Sequence, residues 1–207
     1  MDGVLQRFVV CLKLIKFLAM IKVKTLYITS RKEWRKWLDK YFNKESEIWL
    51  KYPKKSSGKP RISYNDAVEE ALCFGWIDST VKNLDADHTI QRFTPRKNKS
   101  DYSQANKERL KWLAERNMIH PIIEKTIKGI INEEYVFPSD ILDIIKRDSI
   151  AWENYKKFSD SYKRIRIAYI DSARKRQEEF NKRLTNFIEK TKNNQLITGF
   201  GGIEKYY

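Results

Sequence analysis

The chain has 207 residues, of which 41% are apolar and 33% charged, and its net charge is +15 at pH 7. This composition is typical of a folded globular protein and excludes an intrinsically disordered chain. Two distant cysteines exclude a disulfide framework and favour a cytoplasmic location. With only two histidines and no paired ligand spacing, we predict neither a metal nor a cofactor.

The first nineteen residues, MDGVLQRFVVCLKLIKFLA, are apolar but are interrupted by Arg7, Lys13 and Lys16. These charges argue against a signal peptide, and against a membrane span, which needs roughly 20 mostly apolar residues. An interfacial amphipathic helix stays open. We favour translation from Met20, so that residues 1–19 are a non-native or wrongly assigned extension.

Residues 20–135 have the pattern of an α+β domain. Short β-branched runs predict strands at 23–28 and 47–52, and the segment between them predicts a helix that is capped by Ser30. Ser63 caps a second helix, which ends at Gly75. Two strands, at 76–82 and 89–93, follow as a hairpin. We therefore predict a small antiparallel sheet with flanking helices.

The chain becomes helical from Ser103, which is a further cap. We predict a helical C-terminal segment at 136–192, with one or two long helices from about residue 150. One helical stripe there carries Ile165, Ala168, Tyr169 and Ser172. Residues 193–207 carry no sign of a docking element and are predicted to be a flexible tail.

Two mixed aromatic and charged blocks flank the hairpin, ALCFGWID before it and RFTPRKNKSDYSQAN after it. Basic side chains beside a helix N-terminus can bind phosphate or carboxylate, and aromatic rings can stack on a flat ligand. We predict an anion-binding pocket from these residues: Trp76, Asp78, Arg92, Arg96, Lys97, Ser100, Tyr102, Ser103 and Asn106. The alternative is structural, with Trp76 in the core, Asp78 paired to Arg96, and the serines as caps.

Other functions stay open. Catalytic motifs such as a P-loop or G-x-S-x-G are absent from the sequence, so we expect a binding protein rather than an enzyme. Cys73 is a candidate nucleophile, but it follows Leu72 on an apolar helix stripe, which favours a buried thiol. The charge of +15 makes a nucleic-acid-binding protein the main alternative.

Three segments of the chain, YNDAVEEALCFGWIDS, QRFTPRKNKSDYSQANKERL and the later SYKR with AYIDSARKR, resemble the YdeI/OmpD-associated family. This family is also called the bacteriocin-protection or OmdA family, and the resemblance covers roughly residues 25–190. It implies a bacterial α+β region followed by an OmdA-type helical segment. It also implies a role in stress or in tolerance of bacteriocins and other antimicrobial peptides, through a small anionic ligand or a protein partner. It supplies no catalytic residue, and the oligomeric state stays open.

The chain departs from the family pattern at three places. The family usually has tryptophan where Tyr102 stands, and glycines where Asn117 and Ile122 stand. Its C-terminal helix usually carries a Thr-Arg pair, whereas this chain has Glu179 and Phe180. A function that depends on the Thr-Arg pair is therefore not expected here.

Overall fold

A computed structural model describes residues 23–97, 102–199 and 202–207. The expectations for residues 1–19 and for Ser100 lie outside these described residues. In the first part of the chain, strands and helices alternate before the chain turns helical. The elements are β1 Thr25–Tyr27, α1 Arg31–Tyr41, β2 Ile48–Pro53, α2 Tyr64–Cys73, β3 Trp76–Asn83, β4 His88–Pro95, α3 Gln104–Ala114 and α4 Pro121–Ile131.

The four strands form one sheet in the order β1-β2-β4-β3. β2 pairs with β4, and β4 with β3, in antiparallel fashion, as predicted. β1 is parallel to β2, since Leu26 pairs with Leu50, so the sheet is mixed rather than antiparallel throughout. α1 connects these two parallel strands, because parallel neighbours need a crossover between them. The predicted α+β class is confirmed.

The predicted helix boundaries follow from side-chain caps. The hydroxyl of Ser63 accepts a hydrogen bond from the Asp66 amide at 3.0 Å, and Ser30 and Ser103 cap α1 and α3 in the same way. Gly75 ends the α2 turn with a φ of 71°. A Cβ at Gly75 would also lie 2.8 Å from Cδ1 of Ile123, so both the backbone and the space require glycine.

α1 and α2 cover one face of the sheet and enclose the core of the first part. Trp34 and Leu38 of α1, Ala67 and Ala71 of α2, and Phe93 of β4 are all fully buried there. The indole N–H of Trp34 donates to the backbone oxygen of Ala67 at 3.0 Å, which joins the two helices. An aromatic side chain in a core needs such a partner for its polar atom.

The last third folds as a bundle of shorter helices. They are α5 Ser139–Lys146, α6 Ser149–Lys157, α7 Asp160–Asp171 and α8 Gln177–Lys192. The expectation of one or two long helices from about residue 150 is therefore wrong. Ser159, whose hydroxyl accepts from the Tyr162 amide, starts a new helix directly after α6. Tyr155, Tyr162 and Phe187 form a buried aromatic core between these helices.

The C-terminal tail returns to the first part of the chain. Ile203 and Tyr206 are buried, and the ammonium of Lys205 lies 2.8 Å from Oε1 of Glu69 in α2. The prediction that nothing in this tail docks is therefore wrong for residues 202–207. Gly202 allows the close approach, since a Cβ there would lie 2.9 Å from Cβ of Asn65.

Candidate functional site

Trp76, the main aromatic residue of the predicted pocket, lies in the core. Its side chain is fully buried, and its indole N–H donates to the backbone oxygen of Phe42 at 2.9 Å. The Trp37 ring packs against it edge to face at 5.8 Å. A ring without an exposed face offers a ligand nothing to stack on, so Trp76 takes the structural role that the sequence also allowed.

Asp78 joins three elements near the start of α2. Its Oδ2 accepts hydrogen bonds from the Tyr64 hydroxyl at 3.0 Å and from Nε2 of Gln91 at 2.8 Å. Burial, together with the charge and hydrogen bond of Asp78, raises the pKa of Tyr64 to about 12. Tyr64 therefore keeps its proton at neutral pH and remains a hydrogen-bond donor.

Arg96 lies just after β4 and stacks on Tyr102, with its guanidinium carbon 3.8 Å from the ring centroid. Its backbone N–H donates to the oxygen of Gly75 at 2.8 Å, which holds this loop against the end of α2. Burial lowers the pKa of Arg96, although the nearby Tyr102 and Asp78 act in the opposite direction. The hairpin thus brings Asp78, Arg96 and Tyr102 into one neighbourhood, while Lys97 beside them is exposed.

Arg92 lies on the other face of the sheet. Neighbouring residues of a strand point to opposite faces, and Phe93 points into the core beneath α1 and α2. The Nε of Arg92 donates to Oε2 of Glu47 at 2.8 Å on that opposite face. Arg92 therefore cannot join Asp78 and Arg96 in one pocket.

Ser103 and Asn106, at the start of α3, lead to a different opening. Ser103 lines it, while Oδ1 of Asn106 accepts a hydrogen bond from Nη1 of Arg109 at 2.9 Å. The opening is a cavity of about 600 Å³ between α2, α3, α7 and the tail. We call it the interhelix cavity. It is lined by Tyr64, Ser103, Gln104, Ala105, Arg109, Ile165, Arg166, Ala168, Tyr169, Ser172, Gly199 and Ile203.

Two buried arginines form part of the wall of the interhelix cavity. Arg109 of α3 is 5% exposed and donates to Oδ1 of Asn65 at 3.2 Å as well as to Asn106. Arg166 of α7 is 3% exposed and donates to the Ile197 backbone oxygen. Both side chains carry guanidinium N–H groups, which can donate charge-assisted hydrogen bonds to an anionic group.

A bidentate ion pair fixes the spacing of the two helices that flank this cavity. Arg164 of α7 donates from Nε to Oε1 of Glu108 in α3 at 2.7 Å, and from Nη2 to Oε2 at 2.9 Å. Burial would raise the pKa of Glu108, but the hydrogen bonds from Arg164 and Gln104 outweigh it, and the pKa is lowered. A planar two-point contact of this kind sets both distance and orientation.

The sequence pattern contained a signal for the interhelix cavity that the predicted site did not use. Ile165, Ala168, Tyr169 and Ser172 share one stripe of α7, and all four line the cavity. Ala168 and Ser172 are small, so this stripe leaves room beside a neighbouring helix. The spacing alone could not reveal that α3 and the tail complete the opposite walls, since those contacts are far apart in sequence.

Cys73 is a buried thiol, as the apolar stripe indicated. Its side chain is 0% exposed. Burial, with a smaller contribution from the Glu70 carboxylate, raises the pKa of Cys73 to about 12. A protonated, enclosed thiol is a poor nucleophile. The described residues also bring together no group of three or more histidine, cysteine, aspartate or glutamate side chains that could hold a metal ion.

No helix in the described part of the chain is long and apolar enough to cross a lipid bilayer.

The chain has an α+β part that is joined to a helical C-terminal part. Residues 134–194, which include α5 to α8, match the family model described as "Bacteriocin-protection, YdeI or OmpD-Associated" (OmdA). The predicted family is therefore matched over residues 134–194, and this helical segment is similar to the OmdA type.

The first part of the chain matches a second family model. Residues 26–125 match the one described as "Domain of unknown function (DUF8412)". No curated protein matches the chain, and no solved structure matches it either. The interhelix cavity therefore has one wall from each matched segment, with Arg109 in the first and Arg166 in the second.

Proposed function

We propose that this protein is a binding protein of the OmdA type that holds a small amphiphilic anion in the interhelix cavity. The observation that carries the proposal is the pair of buried arginines, Arg109 and Arg166, in the wall of an open cavity of about 600 Å³. Ligand pockets in proteins have volumes of about 300 to 1,000 Å³ and combine apolar walls with a few fixed polar groups.

The lining indicates the chemistry of the ligand. Ala105, Ile165 and Ile203 offer apolar surface, and the arginines offer charge-assisted hydrogen bonds to a carboxylate, sulfonate or phosphate. The Tyr169 ring, which is 40% exposed, adds an aromatic surface at the same cavity. A ligand with one acidic group and an apolar body satisfies both parts of the lining.

The description of the matched family supports a proposal for the biological role. We infer that ligand binding in the cytoplasm contributes to tolerance of bacteriocins or other antimicrobial peptides, as a stress response. Cells that lack the protein should then be more sensitive to such a peptide. Resistance should return with the wild-type chain but not with an Arg109→Gln chain that accumulates to the same level.

A fluorescent amphiphilic anion tests the binding step. 8-Anilinonaphthalene-1-sulfonate should bind the folded protein with one site per chain. N-phenyl-1-naphthylamine, which has the same rings without the sulfonate, should bind at least tenfold more weakly. The reason is that one charge-assisted hydrogen bond contributes about 1.5 to 3 kcal/mol. Equal affinity for the two probes would contradict an anion site.

Two variants locate the site. Arg109→Gln should weaken binding of the sulfonate about tenfold, and Ala105→Leu should weaken it by filling the cavity. Arg116→Gln is the control, since Arg116 lies two residues beyond the end of the same helix and stacks on Trp112 rather than lining the cavity. A loss of the same size in the control would assign the effect to overall charge. Displacement of the probe by a short DNA duplex at low salt would favour the nucleic-acid alternative instead.

A further inference from the structure

A second cavity is lined by residues of β2, β3 and β4 and by the residues at the start of α2. It has a volume of about 700 Å³. Six of its eleven lining residues have hydroxyl or amide side chains. These side chains are Tyr52, Ser63, Tyr64, Thr89, Asn65 and Gln91. We call it the sheet cavity.

Tyr52 is the unusual residue of the sheet cavity. It lies on β2 opposite Thr89, and its side chain belongs to the core, with the residue 7% exposed. The buried hydroxyl has no hydrogen-bond partner among the described residues. Leaving a buried hydroxyl unsatisfied costs about 1 to 3 kcal/mol, so a native chain rarely keeps one without a reason.

The surroundings keep this hydroxyl in its donor form. Burial, followed by the nearby Asp78 and Tyr64, raises the pKa of Tyr52, while the charge of Arg61 acts in the opposite direction. The phenol is therefore protonated at neutral pH. It can donate a hydrogen bond to a ligand and accept another from it.

Two cations stand at the mouth of the sheet cavity. Lys55 is exposed and forms no ion pair within the described part of the chain. Arg61 donates from Nη1 to the backbone oxygen of Pro53 at 2.9 Å, and no carboxylate among the described residues pairs with it. The positive charges of Lys55 and Arg61 and the hydroxyl groups of the same cavity suit a molecule with an anionic end and a hydroxylated end.

We propose that the sheet cavity is a second binding site, and that it takes a small phosphorylated polyol such as a sugar phosphate. The phosphate lies at Lys55 and Arg61. A hydroxyl of the ligand reaches Tyr52 and satisfies its hydrogen-bonding group. The proposal does not depend on the interhelix cavity, because Tyr52, Lys55 and Arg61 line the sheet cavity and do not line the interhelix cavity.

Calorimetric titration with three probes tests this site: glucose 6-phosphate, ribose 5-phosphate and glycerol 3-phosphate. At least one should bind more tightly than both glucose and inorganic phosphate, since each of those offers only half of the contacts. Binding should persist when the interhelix cavity is filled by Ala105→Leu. Absence of binding by all three probes at millimolar concentration would overturn the proposal.

Tyr52→Phe is the decisive variant, because it removes only the unsatisfied hydroxyl. Affinity for the bound probe should fall about three- to tenfold, the effect of one lost neutral hydrogen bond, while the denaturation midpoint should not fall. Tyr155→Phe is the matched control, since Tyr155 is equally buried at 5% exposure but lies in the C-terminal helices. Unchanged affinity in Tyr52→Phe, or an equal loss in the control, would contradict the site.

Discussion

The α+β part up to about residue 135, here the first half, and the helical part after it, here the C-terminal half, have cores of different composition. In the first half, the carboxylates of Glu69 and Glu70 lie fully buried against Arg31 and Arg35. In the C-terminal half, the core is aromatic and aliphatic, and ion pairs such as Arg174–Asp140 and Lys146–Asp143 leave both side chains partly exposed. The Arg174–Asp140 pair there leaves both side chains about half exposed.

The difference predicts how each half responds to change. A buried ion pair contributes little net stability when intact, but removing one partner leaves an uncompensated charge and is costly. A surface pair contributes about 0 to 1 kcal/mol. The first half should therefore be sensitive to charge and acid, and the second half to the loss of apolar volume.

The largest effect should come from the aromatic core of the second half. Phe187 is 1% exposed and contacts the rings of Tyr155 and Tyr162. Phe187→Ala should lower the free energy of unfolding by about 3 to 5 kcal/mol, through lost transfer energy and the cavity left behind. Chemical denaturation followed by circular dichroism measures it. Ile150→Ala, at a residue 56% exposed, is the control and should change little.

Glu69 should give the next largest effect. Its carboxylate contacts Arg31, Lys205 and the Tyr206 hydroxyl, so it joins α1, α2 and the tail. Glu69→Gln should lower the free energy of unfolding by about 3 kcal/mol, because Arg31 and Lys205 lose part of their compensation. Glu179→Gln removes a carboxylate that pairs with Arg183 and whose side chain is 35% exposed, and it is the control in the other half. Equal losses in the two variants would remove the contrast between the halves.

Two glycine substitutions should change the free energy of unfolding by smaller amounts, and the two changes should have opposite signs. Gly75→Ala should destabilise the first half by about 1 to 3 kcal/mol, because its φ is 71° and the new Cβ would meet Ile123. Gly129→Ala should stabilise the protein by about 0.5 to 1 kcal/mol, since it lies within α4 with open space around it. The two denaturation midpoints, measured side by side, check both signs.

The smallest effect that we expect is a difference between the pH at which acid unfolds the first half and the pH at which it unfolds the C-terminal half. Burial would raise the pKa of Glu69, but the hydrogen bonds from Lys205, Tyr206 and Arg31 outweigh it, so the pKa is lowered, as it is for Glu108. A lowered folded-state pKa gives stability above the ordinary glutamate value of 4.5, and this stability is lost as the pH falls below it.

Tryptophan fluorescence and circular dichroism can separate the two acid transitions. Five of the six tryptophans lie within residues 26–125, namely Trp34, Trp37, Trp49, Trp76 and Trp112, and Trp152 lies in the C-terminal half. Fluorescence should therefore change mainly in the first transition, at the higher pH, whereas the helical signal should change in both transitions, because both halves contain helices. A single coincident transition would contradict the prediction that acid acts first on the first half.

Much of the fold could be predicted from local patterns. The caps at Ser30, Ser63 and Ser103 and the stop at Gly75 set helix ends through contacts only a few residues apart. The parallel pairing of β1 and the docking of the tail could not be predicted, because both depend on contacts between distant residues. Tyr206, for example, meets Glu69 across 137 positions.

The candidate site was harder to predict for the same reason. Asp78, Arg96 and Tyr102 of the predicted site lie in one neighbourhood, on and just after the hairpin. Alternation along β4 puts Arg92 and the core residue Phe93 on opposite faces, and the predicted site did not use this signal. The sequence could not pair Arg109 with Arg166, since the packing of α3 on α7 brings them to one cavity.

Hydrogen exchange with and without 8-anilinonaphthalene-1-sulfonate tests the central claim most directly. A ligand in the interhelix cavity should slow amide exchange in both walls, at residues 103–109 of α3 and at residues 165–172 of α7. N-phenyl-1-naphthylamine at the same concentration should give weaker protection of the same two segments. Protection that is absent from either wall, or equal for the two probes, would contradict an anion site between the two halves.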